Sequence, residues 1–223
     1  HPDVFNALLQ VFSAMPEFRH AIRTVTQMAA DAGPLKGLSV FQDEEREGLK
    51  FMRSLTSNQQ SQALIANSMV GGDLPADRRQ VGDGLHLGGA YQDNRIIPYE
   101  GVTGISLSLK QSRNLLDLVM KYLDILPAGT LRARMNDIEQ HLNTTHFCWI
   151  GSRNEQEPFY YRIQSPVLLI EFDHHAGVYL TNEEPANFHV HTLKRTPNGN
   201  DYGIDLIRQH YKNSEHHQSS GQN

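Results

Sequence analysis

The sequence has very little of several features that mark well-known protein classes. It contains one cysteine, Cys148, in 223 residues, so neither an intrachain disulfide nor a cysteine-based zinc site can form. No apolar run approaches the roughly 18–20 residues of a membrane span. Lysine and arginine form no run, and the net charge of −5 gives no basic face for DNA or RNA. We therefore expect a soluble protein, with neither nucleic acid nor a membrane among its partners.

Common catalytic motifs are absent too. The sequence has no Gly-x-Ser-x-Gly, no His-Glu-x-x-His and no Walker pattern, and Gly82-Asp83-Gly84 lacks the spacing of a phosphate loop. The 39% hydrophobic and 20% charged residues are ordinary for a globular domain, and we expect one domain over residues 1–223. The single cysteine favours a reducing, intracellular compartment, and its apolar surroundings favour a structural thiol over a nucleophile. A start at His1 rather than Met is typical of a processed, secreted or fragmentary chain, so the compartment stays open.

Hydrophobic periodicity predicts an α+β fold, in which a helical N-terminal half packs on an antiparallel sheet in the C-terminal third. Residues 1–142 are expected to be mainly helical apart from an irregular loop. The glycine-rich loop, residues 71–101, has no sustained period and is expected to cover a site or to be mobile. The predicted helices are 3–32 with a break near Pro16, 43–55, from Thr56 or Ser57 to about Asn67, 109–123, and 130–142 with a cap at Thr130.

After Asn143 the period changes from helical to two, which is typical of strands. Two strands are predicted most clearly, at 167–173 and at 187–193, and they are expected to pair. A turn at Pro197-Asn198-Gly199-Asn200 precedes a short terminal helix that begins near Asp201. Residues 143–213 are therefore expected to be β-rich, with a disordered tail at 214–223.

Two pairs of polar residues occur at strand spacing. Side chains two apart on a strand point to the same face. Glu171 and Asp173 therefore share one face of their strand, and His189 and His191 share one face of theirs. If the two strands are neighbours, two carboxylates and two imidazoles converge. Two histidines and one carboxylate can hold iron or zinc, and we predict a metal site of His189, His191 and Glu171, with Asp173 as an alternative carboxylate.

A purely structural interpretation of the same residues remains open. His-x-His on a strand also occurs on solvated faces, and the two carboxylates could be ion-pair partners of Arg162 and Arg195. The sequence has twelve histidines, which makes a chance pair credible. Further candidates for a third nitrogen are His86, His146, His174, His175 and His210.

Two arginines are candidates for orienting an anionic substrate group. Arg195 begins RTPNGNDYG, which is either a tight turn alone or a loop that orients a substrate beside the histidines. Arg162 lies on a predicted strand, where it could bind an anionic group or form an ion pair with Glu171.

The C-terminal region resembles an uncharacterised family, domain of unknown function 3500 (DUF3500). The segments that carry the resemblance are FYYRIQSP (159–166), LLIEFD (168–173), HVHTLKRTPNGNDYG (189–203) and His210-Tyr211, with weaker matches at WIG (149–151), the 111–122 helix and the region from DEE (43–45) to Gln60. The family has no established activity, so the resemblance implies no reaction. Many members carry an upstream Trp and Gly-His-His. This sequence has no Gly-His-His, so a site that needs those histidines is absent, truncated or completed differently here.

Two functional hypotheses follow. The first is a metal-dependent enzyme acting on a small polar molecule, with a divalent ion (iron, zinc or copper) at the histidines and Glu171, Asp173, Arg162 and Arg195 as catalytic residues. The second is a non-catalytic binding or assembly module whose histidines and arginines are structural. The sequence leaves the reaction and the oligomeric state open.

Overall fold

The computed structural model describes residues 23–26, 34, 36, 39–70, 74, 75, 78, 79, 84–88, 96–177 and 182–197. Within these ranges, helices lie mainly before the β-rich part, and the fold is α+β as the sequence predicts. No helix in the described ranges combines the length and the apolar character that crossing a bilayer requires.

Four α-helices are described: α1 (Gln42–Ser54), α2 (Ser57–Ala63), α3 (Leu109–Leu123) and α4 (Ala128–Gln140). Helices α2 and α3 each begin with a capping box, in which an N-cap hydroxyl and a glutamine three residues later exchange hydrogen bonds. The pairs are Thr56 with Gln59 and Ser108 with Gln111. These boxes satisfy amide groups that the first helical turn leaves unpaired.

In the described ranges, seven strands form one mixed sheet. They are β1 (Arg23–Thr26), β2 (Leu64–Ala66), β3 (Val102–Thr103), β4 (His146–Gly151), β5 (Phe159–Gln164), β6 (Leu169–His174) and β7 (His189–Arg195). Their order is β1-β7-β6-β5-β4-β2, and β3 also pairs with β4. Strands β4 to β7 are an antiparallel meander, whereas β2 runs parallel to β4.

The structure corrects three local predictions. Arg23–Thr26 is a strand where a helix is predicted, because its backbone pairs antiparallel with β7 and its sequence is rich in β-branched residues. The helix predicted to reach Asn67 ends at Ala63, and β2 follows. Helix α4 begins at Ala128, ahead of the predicted cap at Thr130. The predicted antiparallel sheet of the C-terminal third is confirmed in β4 to β7, and β2 adds one parallel pairing to it. The rest of the predicted 3–32 helical region, the turn at 198–200, the terminal helix and the tail lie outside the described residues.

One face of the sheet carries the hydrophobic core. Helices α1 and α3 pack over a row of aromatic side chains, in which Tyr161 stacks on Phe172 with ring centroids 5.1 Å apart. Gly48 of α1 lies directly against Tyr161, since a Cβ there would be 2.3 Å from its ring. The Tyr161 hydroxyl donates to the carbonyl of Glu44 at 3.0 Å. The missing side chain at Gly48 thus lets the helix approach the sheet closely.

The opposite face, called the polar face below, is equally buried and combines charged and histidine side chains with two smaller apolar clusters. Segments 84–88 and 96–100 of the glycine-rich loop lie against it, and the described residues of that loop contain no helix or strand. Cys148 of β4 faces this side, fully buried, with its Cα opposite that of Arg162. Every charged side chain of β5 to β7 that is buried on this face therefore depends on partners supplied by the loop or by neighbouring strands.

Candidate metal centre

Strand register brings the two predicted pairs together. Strands β6 and β7 are neighbours, and the Cα atoms of Asp173 and His191 are directly opposite each other. Period-two alternation puts Glu171 and Asp173 on the polar face of β6, and it puts His189 and His191 on the same face of β7. All four side chains are buried.

Asp173, His175 and His191 form a buried group of potential metal ligands in the described part of the chain. One ligand atom from each lies within 4.8 Å of the others. The rings of His175 and His191 stack with centroids 3.7 Å apart, and His175 Nδ1 lies 3.0 Å from Asp173 Oδ2. His175 follows β6 directly, two residues after Asp173, so it continues the same alternation.

His86 joins this group from the glycine-rich loop. Its Nε2 lies 3.2 Å from Asp173 Oδ1, and its side chain is fully buried. Gly84, with φ of +55°, lets the loop come this close: a Cβ there would be 2.5 Å from His175 Cε1 and 3.1 Å from Asp173 Oδ2. We call His86, Asp173, His175, His189 and His191 the histidine cluster.

The tautomer of His189 follows from its hydrogen bonds. Asn182 Nδ2 donates to the carbonyls of His175 and Glu184, both at 2.8 Å, which assigns Asn182 Oδ1 as the acceptor from His189 Nδ1 at 3.0 Å. Neutral His189 then carries its lone pair on Nε2, which lies 3.1 Å from His191 Nε2. Two nitrogens bound to one ion at about 2.0–2.1 Å would be about 3.0–3.4 Å apart. The 3.1 Å separation fits a hydrogen bond from His191 Nε2 to His189 Nε2, and it also falls within the range expected for two nitrogens that bind one ion.

The electrostatics keep three members of the cluster, Asp173, His189 and His191, in a ligand-competent state. Burial and the neighbouring charge of His175 lower the pKa of His189 to about 4. Burial lowers the pKa of His191 further, to about 2. Burial alone would raise the pKa of Asp173, but the charges and hydrogen bonds of His86 and His175 outweigh it and hold that pKa far below its ordinary value. At neutral pH, Asp173 is therefore a carboxylate beside neutral His189 and His191.

Glu171 has different partners. Its Oε1 accepts from Leu87 N at 2.8 Å and from the Tyr160 hydroxyl at 2.6 Å, and its Oε2 accepts from Gly88 N at 2.8 Å. A carboxylate that accepts three buried hydrogen bonds is committed to holding the loop. The structure therefore places Glu171 as an anchor for the segment that carries His86, and the group of ligand atoms within 4.8 Å contains Asp173 instead.

The two predicted arginines lie on the same face and also contact the loop. Arg162 Nη2 donates to Glu100 Oε2 at 2.5 Å and to the carbonyl of Pro98 at 3.1 Å, so its ion-pair partner is Glu100 rather than Glu171. Arg195 Nη1 donates to the carbonyl of Gly88 at 3.2 Å.

The residues present suit a divalent metal ion. Imidazole nitrogens and a carboxylate are the donor set of borderline ions such as zinc, iron and copper. His191 Nδ1 is buried and has no hydrogen-bond partner in the described structure, although a buried polar atom normally has one. The histidine cluster therefore offers more nitrogen donors than its own hydrogen bonds use.

A family model described as "Protein of unknown function (DUF3500)" matches residues 11–204 of the chain. The chain belongs to the DUF3500 family. Neither a curated protein nor a solved structure matches it. The DUF3500 match spans β1 to β7 and includes every member of the histidine cluster.

The remaining candidate histidines lie elsewhere. His174 points to the aromatic face, where its Nδ1 accepts from Phe159 N at 2.9 Å and its Nε2 lies 3.1 Å from Glu45 Oε1. His146 Nδ1 lies 3.0 Å from the carbonyl of Thr144. His210 lies outside the described residues. In this DUF3500 chain, alternation along β6 could have singled out His175 over His174, whereas no spacing pointed to His86.

Proposed function

We propose that this chain is a metal-dependent enzyme that acts on a small polar molecule. Asp173, His175 and His191 would be the core ligands of one divalent ion, with His189 and His86 close enough to complete its coordination. The observation that carries the proposal is the 4.8 Å grouping of three buried ligand atoms beside the 3.1 Å pair of imidazole nitrogens. Such an ion would act as a Lewis acid or activate a bound water or dioxygen.

Metal analysis of protein purified without a histidine tag tests the proposal. We expect about one zinc, iron or copper ion per chain, since the donor set suits a single borderline ion. The double variant His189→Ala/His191→Ala should lose this ion and keep its far-UV circular dichroism spectrum. The matched control, His141→Ala/His146→Ala, removes two histidines outside the cluster and should keep the ion. Metal that survives in the first variant, or a wild-type chain that binds none, would overturn the proposal.

Metal dependence of a reaction is a separate measurement. Metal-loaded and chelator-treated protein would be assayed on panels of small esters, amides, phosphoesters and oxidisable substrates. We expect turnover only in the loaded protein, and loss of that turnover in the His189→Ala/His191→Ala variant. A chain that binds stoichiometric metal and turns over none of these compounds would favour a metal-binding protein without catalysis.

The alternative is a non-catalytic binding or assembly module. It is favoured by the commitment of Glu171, Arg162 and Arg195 to loop backbone groups, which is a structural task. The two hypotheses differ in how the protein responds to metal. A specific site raises the melting temperature by mass action, with about 2.7 kcal/mol of added stability at a free metal concentration of 100 times Kd. Under the structural hypothesis, zinc or iron leaves the melting temperature unchanged.

A further inference from the structure

A second group of charged side chains lies on the polar face, apart from the proposed ligands. Glu100 Oε2 accepts from Arg78 Nη1 at 2.6 Å and from Arg162 Nη2 at 2.5 Å, so one carboxylate serves two guanidinium groups. The arginine side chains are only 5% and 1% exposed. Two buried guanidinium groups therefore share one partly exposed carboxylate as their ion-pair partner.

Several donors of this group have no acceptor in the described structure. Arg78 Nε, Arg78 Nη2 and Arg162 Nη1 are buried and make no hydrogen bond to any described residue. Nε and Nη2 project from the same edge of a planar guanidinium, and that edge is the one that binds two oxygens of a carboxylate or phosphate side by side. Buried donors without an acceptor are unfavourable, so this edge has unused capacity for an anion.

The neighbouring carboxylate does not use these donors. The Cα of Glu171 is opposite that of Arg162 in the sheet, but its oxygens accept from Leu87, Gly88 and Tyr160. The Glu100 side chain is 30% exposed, far more than the two arginines, so the group meets solvent at Glu100.

We propose that Arg78 and Arg162 form a binding site for a small oxyanion, a carboxylate or a phosphate group. Two oxygens bind the Nε and Nη2 edge of Arg78, and Arg162 Nη1 contributes a further hydrogen bond. Glu100 competes with the ligand for the same positive charge and balances it when the site is empty of anion. The site needs no metal ion, so it stands independently of the proposed function.

Tyr160 connects the two sites. Its ring lies 5.6 Å from Arg78 Cζ and 6.3 Å from the centroid of the His86 ring. Its hydroxyl is bound to Glu171, which fixes the ring in place. An anionic group held by Arg78 would therefore lie on the same face as the histidine cluster, one aromatic ring away from it. If the proposed metal centre is also present, the substrate would be a small molecule whose carboxylate or phosphate binds Arg78 while a separate reacting group lies at the metal ion.

Titration of the chelator-treated full chain with inorganic phosphate, and separately with succinate, tests the site at constant ionic strength with chloride as the reference. We expect a saturable rise in melting temperature with at least one oxyanion, and the tighter of the two identifies the preferred group. Arg78→Gln should weaken binding about tenfold or more, because a charge-assisted bidentate contact is lost. Arg79→Gln, at the adjacent exposed position, should bind as the wild type does.

Glu100→Gln gives a result of opposite sign and decides the matter if Arg78→Gln does not fold. Removal of the competing carboxylate should tighten oxyanion binding about tenfold, which loss of a merely structural ion pair would not do. The variant His189→Ala/His191→Ala should bind phosphate or succinate as the wild type does, which separates this site from the metal centre. If neither oxyanion stabilises the wild type more than chloride does, or if Arg78→Gln or Glu100→Gln binds with unchanged affinity, the site does not exist.

Discussion

Glu171→Ala is expected to lower the free energy of unfolding by about 3–5 kcal/mol, a large effect for the loss of one polar side chain. The substitution removes the carboxylate that accepts three buried hydrogen bonds, from Leu87 N, Gly88 N and the Tyr160 hydroxyl. It also removes a buried negative charge next to Arg162. Urea unfolding at equilibrium gives the free energy, and hydrogen exchange should reveal lost protection at the amides of Leu87 and Gly88.

Two further variants sharpen this prediction. Glu139→Ala removes an exposed glutamate from α4 and should change stability by no more than about 0.5 kcal/mol. Glu171→Gln keeps the shape of the side chain, but an NH2 group replaces one of the two carboxylate oxygens and faces an N–H or O–H donor. The free energy of unfolding of this variant should therefore lie between those of the wild type and Glu171→Ala. A loss of less than about 1 kcal/mol in Glu171→Ala, which is close to the error of such extrapolations, would mean that Glu171 does not hold the loop.

Gly84→Ala is expected to reduce metal affinity about 10- to 100-fold, the range typical of changes to groups that orient metal ligands. The new Cβ would lie 2.5 Å from His175 Cε1, so either the His175 ring or the loop that carries His86 must move. The positive φ of +55° adds strain for any residue with a side chain. The prediction rests on the proposed metal centre, and titration of apo protein against a competing chelator measures it.

Gly129→Ala is the matched control for this substitution. Nothing lies within 4 Å of a Cβ at Gly129, which is inside α4. Alanine there should leave metal affinity unchanged and stabilise the helix by up to about 1 kcal/mol. Unchanged metal affinity in Gly84→Ala as well would mean that His175 is not a ligand.

Much of the fold could be predicted from local patterns. The hydrophobic repeat changes from a helical period to a period of two near Asn143, which indicated the β-rich region that contains the meander. The alternation of side chains along β6 and β7 predicted which polar side chains share a face. Strands β1 and β2 could not be predicted in this way. Each is only three or four residues long, and each is held by pairing with a distant strand, so its local sequence does not reveal its conformation.

The candidate site was predictable only in part, for a similar reason. His189, His191 and Asp173 converge because strand geometry relates positions two apart, and neighbouring strands bring two such pairs together. His86 reaches the cluster through a loop, where spacing says nothing about position in space. The partner of Arg162 is Glu100, which is 62 residues away in the sequence. Glu171 lies opposite Arg162 on the adjacent strand, and no rule of spacing predicts that Arg162 pairs with Glu100 instead.

The buried thiol of Cys148 makes the protein its own reporter of unfolding. Burial shields this thiol from reagents and also raises its pKa. Because the thiolate is the form that reacts with a thiol reagent, both effects slow the labelling of the folded protein. Because the sequence has one cysteine, every labelling event reports the same place, the polar face of β4. The rate at which a thiol reagent labels Cys148 therefore measures how often the structure around β4 opens, with no mutation and no attached dye.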